Sequence, residues 1–371
     1  MFAEEVGSRF GSLREIQDNT WYEKRHPYVG GIELTPYCNL RCVHCYLQDQ
    51  NKKEQKLLTT EQVKVIIDKL YDAGVLFLYF TGGEIFTRSD FLEIYVYAKK
   101  KGFILELLTN GTLIDERVLE VFREFPPASI SISMYGGDEV SYERVTGRKG
   151  MYDKVIRTFV LLNDSGIHFE IKYIGMKENE EDFLKVKKVA EVFGAVFSYS
   201  MELFPTLLGD SCPKNHMMEL EKIVKTEMLS EGYAEEILRQ ASVKNSVMHK
   251  TKVPLYMCDM AVSNFLIDYQ GFINPCHKSR IKKWNILSCS MQEAWDDFGS
   301  YRNEVASKYN KCVRCEYLMM CSPCVLVNKL TTGDENIPSD TVCKLTHMRV
   351  VAARRQVAQR KKAASRKWKS F

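Results

Sequence analysis

The 371-residue chain predicts an α/β fold: a partial (β/α)6 TIM-like barrel followed by a small cysteine-rich C-terminal domain. Three observations predict it. Between about residues 30 and 200, apolar β-rich runs alternate with helical patterns, as in a parallel sheet with helices outside. Several polar and glycine motifs of this region fall at the C-terminal ends of the predicted strands, where barrel folds carry their sites. Beyond Val253 the cysteine density jumps, with eight of the twelve cysteines there.

Ile32–Thr35 reads as the first strand and leads into the stretch TPYCNLRCVHCYL. A helix follows over Thr59–Ala73, with Thr59 or Thr60 as N-cap and Gly74 as the stop. Leu76–Thr81 is the second strand, and Asp90–Lys101 the helix after it. Four more strands read over Ile104–Thr109, Ile130–Met134, Phe169–Ile174 and Ala195–Met201, separated by helices over Asp115–Phe125, Tyr152–Ser165 and Glu181–Phe193. From Phe204 to Val253 the pattern weakens into a polar, partly helical connector. Asp268–Tyr269–Gln270–Gly271 signals a hairpin in the cysteine-rich region. The expected divisions are an N-terminal extension (1–27), the barrel (28–205), the connector (206–253), the cysteine-rich domain (254–345) and a basic helix or tail (346–371).

A hydrophobic content of 45% and a charged content of 27% fit a soluble globular protein. The opening MFAEEVGSRF has no apolar run, so no signal peptide is expected, and no apolar stretch approaches the ~20 residues that span a bilayer. The expectation is a cytoplasmic chain with no membrane partner, its cysteines metal ligands rather than disulfides. The net charge of +4 is uneven: ten positive charges and no acid follow Asp340, which leaves the rest at −6. A solvated helix and a docking site for an acidic peptide both fit that tail. No recognised nucleic-acid module accompanies it, which argues against a nucleic-acid partner.

Cys38, Cys42 and Cys45 follow the first strand as CxxxCxxC. Three thiolates hold a cubic iron–sulfur cluster by three irons and leave the fourth open to a small molecule, whereas structural zinc normally takes four protein ligands. One strand later comes Thr81–Gly82–Gly83–Glu84, in which two glycines let the backbone approach a ligand and the glutamate supplies an anionic anchor. Together these residues resemble the radical S-adenosylmethionine (SAM) superfamily over roughly residues 28 to 205. The resemblance implies a [4Fe–4S] cluster on Cys38, Cys42 and Cys45, chelated at its fourth iron by SAM. It implies cleavage of SAM to methionine and a 5′-deoxyadenosyl radical that abstracts hydrogen from a substrate. It also implies cofactor contacts: His44 near the adenine, Gly82 and Gly83 with Glu84 at the SAM ammonium, Asn110 in the pocket wall, and Asn179 after the fifth strand. Ser131 and Ser133 match serines at the SAM carboxylate or ribose, with only one of the two expected to reach. Where relatives place a carboxylate-binding arginine, YERVTGRKG offers Thr146, flanked by Arg144 and Arg148. No catalytic acid or base is assigned. Tyr173, Tyr199 and Glu202 sit where later strands open toward a substrate, with packing as the alternative for each.

The C-terminal cysteines run Cys258-x12-Gly271-x4-Cys276, then Cys312-x2-Cys315-x5-Cys321-x2-Cys324, then Cys343. They resemble the SPASM domain of radical SAM maturases, with two residues rather than three between Cys321 and Cys324. The resemblance implies two auxiliary [4Fe–4S] clusters, one on Cys258, Cys276 and Cys324 and one on Cys312, Cys315, Cys321 and Cys343. It points to an oxidoreductase or maturase acting on a ribosomally made peptide or protein, by crosslink, thioether, epimerisation or excision. A reductant such as a flavodoxin or ferredoxin is implied. The ~30 residues before the barrel are too few for the winged-helix leader reader of many relatives, so leader recognition is expected to fall to a separate leader-binding protein or to the connector, aided by the basic tail. A tetrapyrrole or haem-pathway enzyme is the alternative; a sulfatase maturase and a non-enzymatic electron carrier fit less well.

Overall fold

The computed structural model describes residues 25–47, 56–248 and 250–368. Most of the expected N-terminal extension, and Lys369 in the basic tail, lie outside the described residues. No described helix is long and apolar enough to cross a membrane.

Along the chain run β1 (Val29–Thr35), α1 (Thr60–Asp72), β2 (Phe77–Gly82), α2 (Phe91–Lys100), β3 (Ile104–Thr109) and α3 (Glu116–Glu124). Then come β4 (Ser129–Met134), α4 (Glu139–Thr146), α5 (Met151–Asp164), β5 (Glu170–Ile174), α6 (Phe183–Val192) and β6 (Val196–Ser200). The second half carries α7 (Leu220–Glu227), α8 (Tyr233–Ala241), β7 (Asn264–Ile267), β8 (Ile273–Asn274), α9 (Met291–Phe298), α10 (Leu318–Cys321), α11 (Val325–Thr332) and α12 (Asp340–Trp368). The helix starts are chemically explicit. Thr59 and Gln62 close a capping box on α1, Asp115 and Asp138 cap α3 and α4, and Ser290 with Glu293 caps α9.

Contacts divide the chain into two units, one of residues up to Met217 with Asp259–Tyr301, the other of Met218–Cys258 with Arg302–Phe371. The first holds a single sheet ordered β6-β5-β4-β3-β2-β1-β7-β8, parallel from β6 through β7 and antiparallel only in the β7–β8 hairpin. The hairpin foreseen at Asp268 is present: its carboxylate accepts from Gln270 N and Phe272 N. The expected cut at residue 254 is not where the contacts divide. The hairpin runs on from β1, and α9 caps this region through Trp295, whose indole donates to Arg25 O.

In the inner strands the residues alternate. Ile130, Ile132, Leu105, Leu107 and Ile171 are fully buried on the face under the helices. The opposite face of the same strands presents Glu106, Ser131, Ser133, Lys172, Ser198 and Ser200, paired across neighbours as Ser133 with Lys172 and Lys172 with Ser198. A closed TIM barrel fills its interior with branched apolar side chains; here a polar inner face lines a cavity instead.

The second unit packs α8 against α12 through Ala234, Ile237, Tyr317, Val350 and Ala353. The basic tail is therefore a docked helix over much of its length. Arg349 makes a two-point ion pair with buried Glu227, and Arg360 pairs with Glu235.

Candidate functional site

The cysteine loop is held from two sides. Arg41 N donates to Thr146 O (2.8 Å) and Val43 N to Val145 O (3.0 Å), so the end of α4 pins its middle. Gly83 N donates to Thr35 O and Glu84 N to Tyr37 O, both 2.7 Å, so the double-glycine turn pins its start. A Cβ on Gly82 would strike Thr35 O and one on Gly83 would strike Tyr37 O; Gly82 also has φ +143°. The glycines thus permit the approach of two backbone segments, a role beyond the ligand approach expected of them.

A cavity of about 440 Å³ opens beside this loop, within the range of small-molecule sites. Cys38, Cys42, His44 and Cys45 line one wall, with Gly82, Gly83, Asn110, Ser131 and Ser133 around it. Both serines line the cavity, against the expectation that only one would reach: two residues apart on a strand, they share a face. Lys172, Ser200, Glu202, His277 and Lys278 are among the other lining residues.

Burial pushes the Cys38 thiol up to about 11, with Leu40 N–H and Asn110 opposing and the charges of Glu84 and Cys45 adding to the rise. Burial raises Cys42 too, then the neighbouring Cys45 and Cys38; a hydrogen bond from Tyr135 opposes. His44 is pushed down to about 4, chiefly by burial and then by His216, so it is neutral near pH 7. Its ring lies 5.1 Å from that of Tyr135, which sequence reasoning did not single out. Among the described residues, no three His, Cys, Asp or Glu converge as around a single metal ion.

Two predicted contacts sit elsewhere. Glu84 is 1% exposed, and its carboxylate accepts from Thr109 Oγ1 (2.7 Å), Asn110 N (2.7 Å) and Phe86 N (3.2 Å). Asn179 is buried outside the cavity lining. Its amide donates to Tyr135 O and Ile174 O, and its oxygen accepts from Met176 N and Tyr173 Oη. Tyr173 and Tyr199 pack edge-on against Phe183 of α6, on the helix side of the sheet. Of the three late-strand candidates only Glu202 lines the cavity. Thr146 Oγ1 donates within its own helix to Tyr142 O, and Arg144 donates to Glu178 O.

Residues 32–190 match the Radical SAM superfamily. The chain carries a radical SAM domain. The radical SAM superfamily is one of enzymes, and it implies a [4Fe–4S] cluster and SAM. This radical SAM protein is 27% identical to the AdoMet-dependent heme synthase of Methanosarcina barkeri, over 83% of its own length and 94% of the relative's. It is 34% identical to the antilisterial bacteriocin subtilosin biosynthesis protein of Bacillus subtilis, over 47% of its own length and 39% of the relative's. Its fold resembles that of Streptococcus suis SuiB bound to precursor peptide SuiA, with a TM-score of 0.70, 18% identity, and coverage of 90% and 80% of the two chains.

The second unit of this radical SAM protein has a site of its own. Cys312, Cys315, Cys321 and Cys343 line one cavity of about 230 Å³, closed by Leu318, Pro323 and Val342. Cys312 is pushed up to about 11 by burial and then by the charges of Cys321, Cys315 and Cys343, which marks the four as neighbours. Thr346 Oγ1 lies 3.3 Å from Cys321 Sγ. Cys324 is not among the lining residues. Cys276 falls in the first unit, and Cys258 and Cys324 in the second. All twelve cysteines are free thiols, Cys212 and Cys289 among them.

Proposed function

We propose that this enzyme modifies a ribosomally made peptide or protein by radical chemistry, with a [4Fe–4S] cluster on Cys38, Cys42 and Cys45 and SAM beside it. The cavity carries the reading: the cysteine triad forms one wall, and His277 and Lys278, next to Cys276, form another. A substrate held there would lie between the source of the radical and the His277–Lys278 segment that follows Cys276.

The residues present fit the cofactors. Three thiols share one wall, and N–H groups of Leu40 and Asn110 point at Cys38 Sγ, as suits a sulfur that stays anionic. A cluster gives each thiolate its own iron, so the thiols need not converge on one point. Cys312, Cys315, Cys321 and Cys343 would hold an auxiliary cluster in the second unit. When bound, the triad's cluster and SAM together supply a carbon-centred radical. The chain's own task is to orient the substrate and exclude side reactions. Ser131, Ser133, Ser200 and Glu202 offer hydrogen bonds of the kind a peptide backbone returns. His44, neutral and half-buried, would pack near the adenine.

The likeness to a peptide-bound neighbour and to a bacteriocin-biosynthesis protein supports the peptide reading. A second reading, modification of a tetrapyrrole, is favoured by the relative named as a heme synthase, matched over 94% of its length. One experiment separates them. Anaerobic, iron-loaded protein with SAM and a low-potential reductant is incubated either with a short cysteine-containing precursor peptide or with an iron porphyrin bearing propionates. The expected result is 5′-deoxyadenosine formation with a mass change in the peptide and none in the porphyrin. A change confined to the porphyrin overturns the peptide reading. No 5′-deoxyadenosine in any arm overturns both.

A further inference from the structure

The Asn110 side chain sits in a closed hydrogen-bond ring beside Cys38. One amide proton goes to Asn39 Oδ1 (2.9 Å) and the other faces Cys38 Sγ (3.7 Å). Its oxygen accepts from Thr112 N (3.0 Å) and Thr112 Oγ1 (2.6 Å), and Asn39 Nδ2 donates to Thr112 Oγ1 (2.8 Å). This ring fixes which way the amide points. Flipped, its oxygen would face Asn39 Oδ1 and its N–H groups would face the Thr112 N–H. Glu84, closed off from the cavity, holds the main-chain N–H of Asn110, and through Thr109 the residue before it. The double-glycine motif's carboxylate therefore acts on the cysteine loop through Asn110. Among the described residues, the donor it positions is the side chain that reaches Cys38 from another strand end.

We propose that Asn110 tunes the reduction potential of the cluster at Cys38, Cys42 and Cys45 by donating a hydrogen bond to the Cys38 sulfur, with Asn39, Thr112 and Glu84 as its positioning residues. The proposal rests on the reading of the triad as a cluster site. A hydrogen bond to a ligating sulfur withdraws electron density and favours the more negative, reduced cluster, so its loss makes reduction harder. This differs from a contact between Asn110 and SAM, which would change SAM affinity and leave the potential without SAM unmoved.

The test is a redox titration followed by electron paramagnetic resonance on full-length, iron-loaded protein without SAM. The triad's signal is first identified as the one absent in Cys42→Ala. If no signal is lost there, the cluster reading fails before the proposal is reached. In Asn110→Ala and in the isosteric Asn110→Asp, which lacks the donor, the midpoint of that signal is expected to move negative. A tenfold weaker reduction equilibrium corresponds to about 59 mV for one electron. Asn39→Ala keeps residue 110 but frees its amide, and is expected to move the midpoint the same way by less. It also serves as the readout should the Asn110 variants load no iron. Unchanged midpoints at wild-type iron content overturn the proposal, and a raised SAM dissociation constant with an unchanged midpoint assigns Asn110 to the cofactor instead.

Discussion

At the scale of single residues, Gly83 ties the motif to the cysteine loop. A Cβ there would overlap Tyr37 O and lie 2.7 Å from Pro36 O, both backbone atoms just before Cys38. Backbone cannot rotate aside as a side chain can, so the loop must shift. Overpacking of this kind costs about 1–3 kcal/mol. Gly83→Ala is therefore expected to lower thermal stability and to lose about four irons per chain, measured by iron analysis beside wild type. Wild-type iron content in the variant would show that the loop tolerates the shift. The residues that sequence reasoning missed share a trait. Tyr135, Asn39 and Thr112 act by where their polar atoms point, and none belongs to a spacing pattern. Asn39, between Cys38 and Leu40, reads in the sequence only as a spacer.

At the scale of elements, the helix most easily overlooked is α4, Glu139–Thr146, whose end holds the cysteine loop. Its signals were local: Asp138 as N-cap, accepting from Ser141 N at 3.0 Å, and Gly147 in the left-handed region as the stop. Asp138 is held down to about 2, first by the Lys185 ammonium and then by the Ser141 N–H. A depressed folded value makes the cap's ionic contribution complete above about pH 4 and loses it as pH falls through about 2. Asp138→Ala is expected to cost about 1 kcal/mol at neutral pH, read by urea unfolding of the apo protein. The gap from wild type should hold from pH 7 to about 4 and narrow below that. A gap independent of pH would assign the effect to packing alone. The six βα units were legible because each strand buries apolar residues under the helices, and α1 and α3 open on the side-chain caps Thr59 and Asp115. The place of β7 beside β1 was not legible. Four residues inside a cysteine-rich stretch carry no sign of their partner, since strand pairing at that sequence distance is decided by tertiary packing.

At the scale of the whole molecule, the basic tail gains a structural explanation for part of its charge. Its helix α12 carries Cys343, a lining residue of the four-cysteine cavity, and six residues on Arg349, whose guanidinium reaches Glu227 at 2.8 and 2.5 Å. Glu227 is 3% exposed and Arg349 15%, so water screens the pair little and neither charge is solvated if the other is removed. Breaking one partner of such a pair costs about 3–5 kcal/mol, whereas replacing both with apolar groups is often neutral. On the proposal that the second unit's cavity holds a cluster, Glu227→Gln is therefore expected to lower thermal stability and to reduce iron there, by loosening the helix that presents Cys343. Glu227→Leu combined with Arg349→Met should restore both. The signal that Cys42→Ala abolishes should persist in each variant, because the triad is held by β1, the double-glycine turn and α4. A single variant that keeps its full iron would show that α12 is fixed by its apolar seam with α8 alone, and that the ion pair serves only to neutralise charge on a helix otherwise rich in lysine and arginine.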